Sequence, residues 1–142
     1  MTPPAVTVGL VQMAMSQDKA PNIARARRGI ADAASRGARL ICLPELFATQ
    51  YFPQVEDPAR FDLAEPIPGP TSEAIAAAAR EHGVVVVTPL FEKRTAGVYH
   101  NSLVVHGTSG ETLGLYRKMH IPDDPLFYEK YYFAPGDLGS VV

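Results

Sequence analysis

Arg39-Leu40-Ile41-Cys42-Leu43-Pro44-Glu45 decides the fold: four apolar residues in a row, closed by a proline and followed at once by a carboxylate. A run with no polar face reads as a strand buried on both sides, as in parallel sheets. Pro44 has no N–H with which to continue the ladder. Upstream, Ala5 to Met13 is a similar run rich in Val and Leu. Between the two, from Pro21 onward, Ile23, Ala26, Ile30, Ala33 and Ala34 recur at helical spacing, with Arg25, Arg28, Asp32 and Arg36 as the wetted stripe and Gly37 as the stop. Strand, helix and strand make a βαβ unit, which predicts two parallel strands.

Working toward the C-terminus, residues 46–70 carry five of the thirteen prolines and show no period, which predicts a long irregular loop. Ser72 to His82 is Ala-rich, is followed by Gly83, and leads into Val84 to Leu90, a second helix and a third buried strand. The alternation points to an α/β fold. Gly97 to Val105 and Glu111 to Arg117 flank Gly107-Thr108-Ser109-Gly110, the pattern of an antiparallel hairpin. From Lys118 to Val142, prolines break the chain, and five of its twelve aromatic residues fall between Phe127 and Phe133, as in a structured loop or lid. Val141-Val142 reads as the opening of another strand, so the domain, residues 1–142, is expected to be incomplete at its C-terminus.

The 142 residues suit one domain of ordinary size. Apolar residues at 46% and charged residues at 20% exclude a disordered or fibrous chain. Thirteen Lys+Arg against fifteen Asp+Glu, with no basic block, give no footprint for nucleic acid. No apolar run approaches the about 20 residues of a membrane span, and the N-terminus lacks a basic leader region. A single cysteine, Cys42, allows no internal disulfide and no CxxC metal site, and a cytoplasmic location is the default. The four histidines have no metal spacing, and the turn after the first strand has no phosphate-binding glycine pattern. Neither cofactor nor metal is therefore expected.

Glu45, at the carboxyl end of a central strand, lies where open α/β sheets bind ligands. It reads either as a general base or as a rim carboxylate that caps a backbone or forms a salt bridge. Lys118 ends the last predicted strand. Beside a carboxylate it could hold developing negative charge, and otherwise Arg117-Lys118 is an ordinary solvated strand end. Glu129, among aromatics, is a second buried carboxylate or a charge on the lid surface. Cys42, three positions before Glu45, points to the opposite strand face and reads as a small core residue.

Six blocks stand in order along the chain: Val8-Gly9-Leu10-Val11-Gln12-Met13, Ile41-Cys42-Leu43-Pro44-Glu45-Leu46-Phe47, Asn101-Ser102, Tyr116-Arg117-Lys118-Met119-His120-Ile121-Pro122, Tyr128-Glu129-Lys130 and Phe133-Ala134-Pro135-Gly136-Asp137. As an ordered set they resemble the nitrilase superfamily of carbon-nitrogen hydrolases. Within it, residues 120–133 most resemble the N-carbamoylputrescine amidase branch. The resemblance implies the N-terminal portion of an αββα sandwich and hydrolysis of a small-molecule amide or N-carbamoyl amine. It further implies Glu45 as general base, Lys118 as oxyanion stabiliser and Glu129 as the second carboxylate, with His120, Tyr51 and Asn101 in support. The family's third catalytic residue is a cysteine on a strand beyond the Pro-Gly-Asp segment, which this chain ends before reaching. A homo-oligomer is expected, as is self-association through the sheet face that half a sandwich leaves bare. A noncatalytic chain of the same fold, and an unrelated α/β binding module, are the competing readings.

Overall fold

Parallel and antiparallel pairing meet in one five-stranded sheet. The computed structural model describes residues 5–139, and the expected strand at Val141-Val142 lies outside them. The described elements are β1 (Val8–Leu10), α1 (Lys19–Ser35), β2 (Leu40–Cys42), α2 (Pro70–His82), β3 (Val85–Thr95), β4 (Val98–His106), β5 (Thr112–Arg117) and the short α3 (Glu129–Tyr132). Spatial order equals chain order, β1-β2-β3-β4-β5. The first three strands run parallel, and the last two add antiparallel. The βαβ unit and the β4–β5 hairpin thus stand as the sequence predicts.

Three expectations change. The first strand is shorter than Ala5 to Met13, and it is not buried on both sides: Val8 and Leu10 are exposed. The third strand runs past Leu90 to Thr95, because Phe91 to Thr95 pair with β4 across a tight turn at Ala96-Gly97. Pro89 is tolerated inside it because β2 pairs only as far as Val87 and Leu43. The loop 46–70 is long but contains two 3-10 turns, Phe52–Gln54 and Pro58–Leu63. Its Glu65 then takes over the edge that β2 vacates, donating its N–H to Phe91 and accepting from the Lys93 N–H.

Both long helices cover one face of the sheet. Ala26 and Ile30 of α1, and Ile75, Ala78 and Ala79 of α2, pack with Ile41, Val84 and Val86 into one buried cluster. Each isoleucine so removed from water contributes about 1.5–3 kcal/mol. Gly9 lets α1 approach closely, since a Cβ there would meet that of Ala33 at 2.9 Å. At the start of α2, the Gly69 N–H donates to Ser72 Oγ, and the Thr71 N–H donates to the Glu65 carboxylate, so two of the helix's three free donors are satisfied, Pro70 having none. On the opposite face, register places Val8, Leu40 and Val85 in one row and Leu10, Cys42 and Val87 in the next.

A second cluster lies beyond the parallel strands. Leu46, Phe52, Phe91, Ile121, Tyr132 and Phe133 are buried together, with Phe52 ring centroids 4.9 Å from both Phe91 and Tyr132. Stacked and edge-to-face pairs of this kind add about 0.5–1.5 kcal/mol each beyond their burial. They fasten the loop after β2 to the segment carrying α3, which brings distant polar residues together. Among the described residues, no helix is long and apolar enough to cross a membrane.

Candidate active site

The site is built at the end of β2. Leu46, the residue after Glu45, has φ 50°, the left-handed region that costs a residue with a Cβ of the order of 1 kcal/mol or more. Its side chain is buried in the aromatic cluster, which holds the turn against that cost. The chain bends there, and the Glu45 carboxylate reaches β4: Asn101 Nδ2 donates to Glu45 Oε1 at 2.6 Å.

Lys118 follows β5. Its N–H donates to the Asn101 carbonyl at 2.9 Å, which continues the ladder by one residue. The Nζ donates to Glu45 Oε1 at 3.2 Å and to Glu129 Oε2 at 2.8 Å. Tyr51 donates its hydroxyl proton to Glu129 Oε1 at 2.8 Å, so both oxygens of this carboxylate are engaged. Glu129 opens α3, whose position is fixed by the Tyr128 N–H donating to the Pro53 carbonyl. Five residues from four separate stretches thus meet around one ammonium.

Exposure separates the two carboxylates. The Glu129 side chain is 3% accessible and that of Glu45 is 50%. Glu129 is enclosed with its partners and serves the arrangement, whereas Glu45 keeps an oxygen available to solvent and to any incoming group. Burial alone would lower the Lys118 pKa, but the Glu129 hydrogen bond and the Glu45 charge overcome it and hold the ammonium above its ordinary value. Burial, then the hydrogen bond and charge of Glu129, push the Tyr51 phenol well above the usual range. The lysine is therefore cationic and the tyrosine neutral across the physiological range. A solvent-facing carboxylate beside a fixed ammonium can take up a proton on one side and stabilise an oxyanion on the other.

Of the six residues singled out in the sequence, the structure brings Glu45, Lys118, Glu129, Tyr51 and Asn101 together. His120 is placed elsewhere. It is exposed and lines an open cleft of about 900 Å³ with Phe61, Tyr99, Lys130 and Tyr131, a cleft that none of the five cluster residues lines. Cys42 is half-buried in the row between Leu10 and Val87, and burial pushes its thiol pKa up, the reverse of an activated nucleophile.

Arg117 is not a solvated strand end. It is 7% exposed and grips Glu92 through two bonds, Nε to Oε2 at 2.7 Å and Nη2 to Oε1 at 2.6 Å, while Ser102 donates to the same carboxylate at 2.5 Å. Sequence reading missed this pair. The available signal was alternation: Arg117 and Lys118 are adjacent on an extended chain and must face opposite sides, so only one of them can be at the site.

Comparison with known proteins gives the family and the fold. The pattern of the carbon-nitrogen hydrolase family matches residues 7–142. The chain is 42% identical to an N-carbamoylputrescine amidase of Solanum lycopersicum, across 96% of this chain and 46% of that protein. It is 35% identical to a citrullinase of Francisella tularensis, across 96% and 48%. The crystal structure of a carbon-nitrogen hydrolase from Helicobacter pylori G27 superposes with a TM-score of 0.90 at 42% identity, covering 94% of this chain and 46% of that one. The chain spans about half the length of the curated relatives it matches.

Proposed function

Because the chain belongs to the carbon-nitrogen hydrolase family, we propose that it contributes the acid-base and oxyanion half of an amidase site, with N-carbamoyl amines such as N-carbamoylputrescine as substrates. The observation that carries the reading is Lys118 Nζ held between Glu45 at 3.2 Å and Glu129 at 2.8 Å. In this reading residues 1–142 are all carbon-nitrogen hydrolase domain.

The reaction needs a sulfur nucleophile. Cys42 is the one cysteine in the sequence, and its raised pKa and position unfit it for the task. The nucleophile is accordingly assigned to a cysteine outside these residues. Glu45 takes the thiol proton as sulfur attacks the carbonyl carbon, and Lys118 faces the oxygen on which charge develops. The C–N bond to the amine then breaks, and the leaving nitrogen takes the proton back from Glu45. Water, deprotonated by the same carboxylate, cleaves the carbamoyl thioester, and the carbamate released decomposes to ammonia and carbon dioxide. Asn101 orients Glu45, while Tyr51 and Glu129 hold Lys118. N-carbamoylputrescine and citrulline, the compounds after which two relatives are named, both carry a ureido group, which supports placing specificity in what surrounds it. A reducing cytoplasm and a homo-oligomer complete the proposal.

The test is ammonia release from N-carbamoylputrescine and from citrulline by the protein as expressed from its gene. Glu45→Gln and Lys118→Ala are each expected to lower kcat by about 100-fold or more, and Cys42→Ala to leave it unchanged. Full turnover in either of the first two variants overturns the assignment. A noncatalytic chain of the same fold is the second reading, favoured by the position of Cys42; it is supported if no ammonia appears from any N-carbamoyl amine.

A further inference from the structure

The Glu92–Arg117 pair, on the face of the sheet opposite Lys118, has no part in the chemistry above, yet it adjoins the site through β4 and the end of β5. Register pairs Ser102 with Arg117 and Glu92 with His100, so Glu92, Ser102, His100 and Arg117 share one face. One residue along, Asn101 and Lys118 point the other way. All of Glu92, Ser102 and Arg117 are buried, and Glu92 accepts three bonds from them. Arg117 Nη1 also donates to Asp137 at 3.3 Å, and Arg94 donates to the other oxygen of Asp137 at 2.6 Å. Beside this, the Gly136 N–H donates to the Lys118 carbonyl at 2.8 Å. The approach is so close that a Cβ on Gly136 would stand 2.0 Å from the Arg117 carbonyl oxygen.

We propose that the Glu92–Arg117 pair is a positioning device for Lys118, fixing the end of β5 and the segment 134–137 so that the ammonium is presented between the two carboxylates. The inference rests on the reading of Lys118 given above, but it concerns where the ammonium is held, which can be read without turnover. Arg117 fits the task because its planar fork binds a carboxylate through two parallel bonds, defining direction as well as distance. A lysine at 117 would keep the charge and lose the fork.

The test is the rate at which an acylating reagent modifies Lys118 at fixed pH, followed residue by residue by mass spectrometry on the whole chain. Glu92→Gln removes a negative charge and Arg117→Met a positive one. A through-space charge effect would therefore move Lys118 in opposite directions in the two variants, whereas loss of positioning moves both toward faster modification. The double variant Glu92→Gln/Arg117→Met leaves the net charge unchanged and is the decisive arm. Its Lys118 is expected to react about threefold faster or more, equivalent to a fall of half a unit in the ammonium's pKa. Lys19, paired with Glu65 at 2.5 Å, is the internal control and is expected to stay constant. Arg117→Lys, the gentler replacement, is expected to accelerate Lys118 as well, and with Glu92→Gln it decides the matter if the double variant fails to fold. Opposite shifts in the two single variants, an unchanged Lys118 in a folded double variant, or Lys19 rising in step with Lys118, overturns the proposal.

Discussion

Tyr51 carries more of the site than its single hydrogen bond suggests. Its hydroxyl satisfies a carboxylate that is otherwise sealed from water, and among the described residues Glu129 has no third partner to replace it. Tyr51→Phe is expected to cost about 1.5–3 kcal/mol, the range for a hydrogen bond to a charged group, measured as a shift in urea midpoint. Gly136→Ala is expected to be worse tolerated than an ordinary glycine replacement. Its Cβ meets backbone oxygen, not a flexible side chain, so segment 134–137 must lift. Limited proteolysis checks this, with faster cleavage after Phe133 as the expected result. Glu45 and Lys118 could be singled out in the sequence because each stands at the end of a strand that the sequence predicts, where a charge has a reason to be. Arg117 could not, since a basic residue beside a lysine has the composition of a surface whatever its true burial. Its partner Glu92 lies twenty-five residues earlier and shares no local pattern with it.

Among the elements, β4 combines a role in the site with a weakness. Its Asn101 serves Glu45 on one face, while His106, at its far end, is buried with neither ring nitrogen hydrogen-bonded among the described residues. Burial lowers the His106 pKa from 6.5 in the unfolded chain. The unfolded state then binds more protons, so stability is complete above that value and declines as pH falls below it. Glu92 acts lower on the scale. Burial alone would raise it, but Arg117 and Ser102 hold it below 4.5, and its contribution is lost only as pH falls from there. Two separate phases are expected in urea midpoint against pH, and His106→Leu is expected to remove the upper one alone. The β3–β4 hairpin was illegible beforehand because Phe91-Glu92-Lys93-Arg94-Thr95 looks polar and looplike. Its glutamate is nonetheless buried, paid for by an arginine that only tertiary structure supplies.

At the scale of the molecule, the helices cover one face of the sheet and leave the other with exposed Val8 and Leu10, the latter 79% accessible. Such a row of apolar side chains favours association. The 142-residue chain is expected to elute larger than a monomer and to bind an apolar dye, with Leu10→Lys reducing both; a dye-silent monomer at high concentration contradicts this. The α/β class and parallel β1–β2 pairing followed from hydrophobic runs, which are local. The exposure of β1 did not, because a strand's two faces are decided by what packs on them, not by its own residues. The order of the strands has one more consequence. Every neighbour in the sheet is also the neighbour in translation, so a chain leaving the ribosome can add each strand to a completed edge without waiting for a distant partner. Glu45 is synthesised well before Asn101, Lys118 and Glu129, so a polypeptide that has not yet reached them holds no assembled charge cluster.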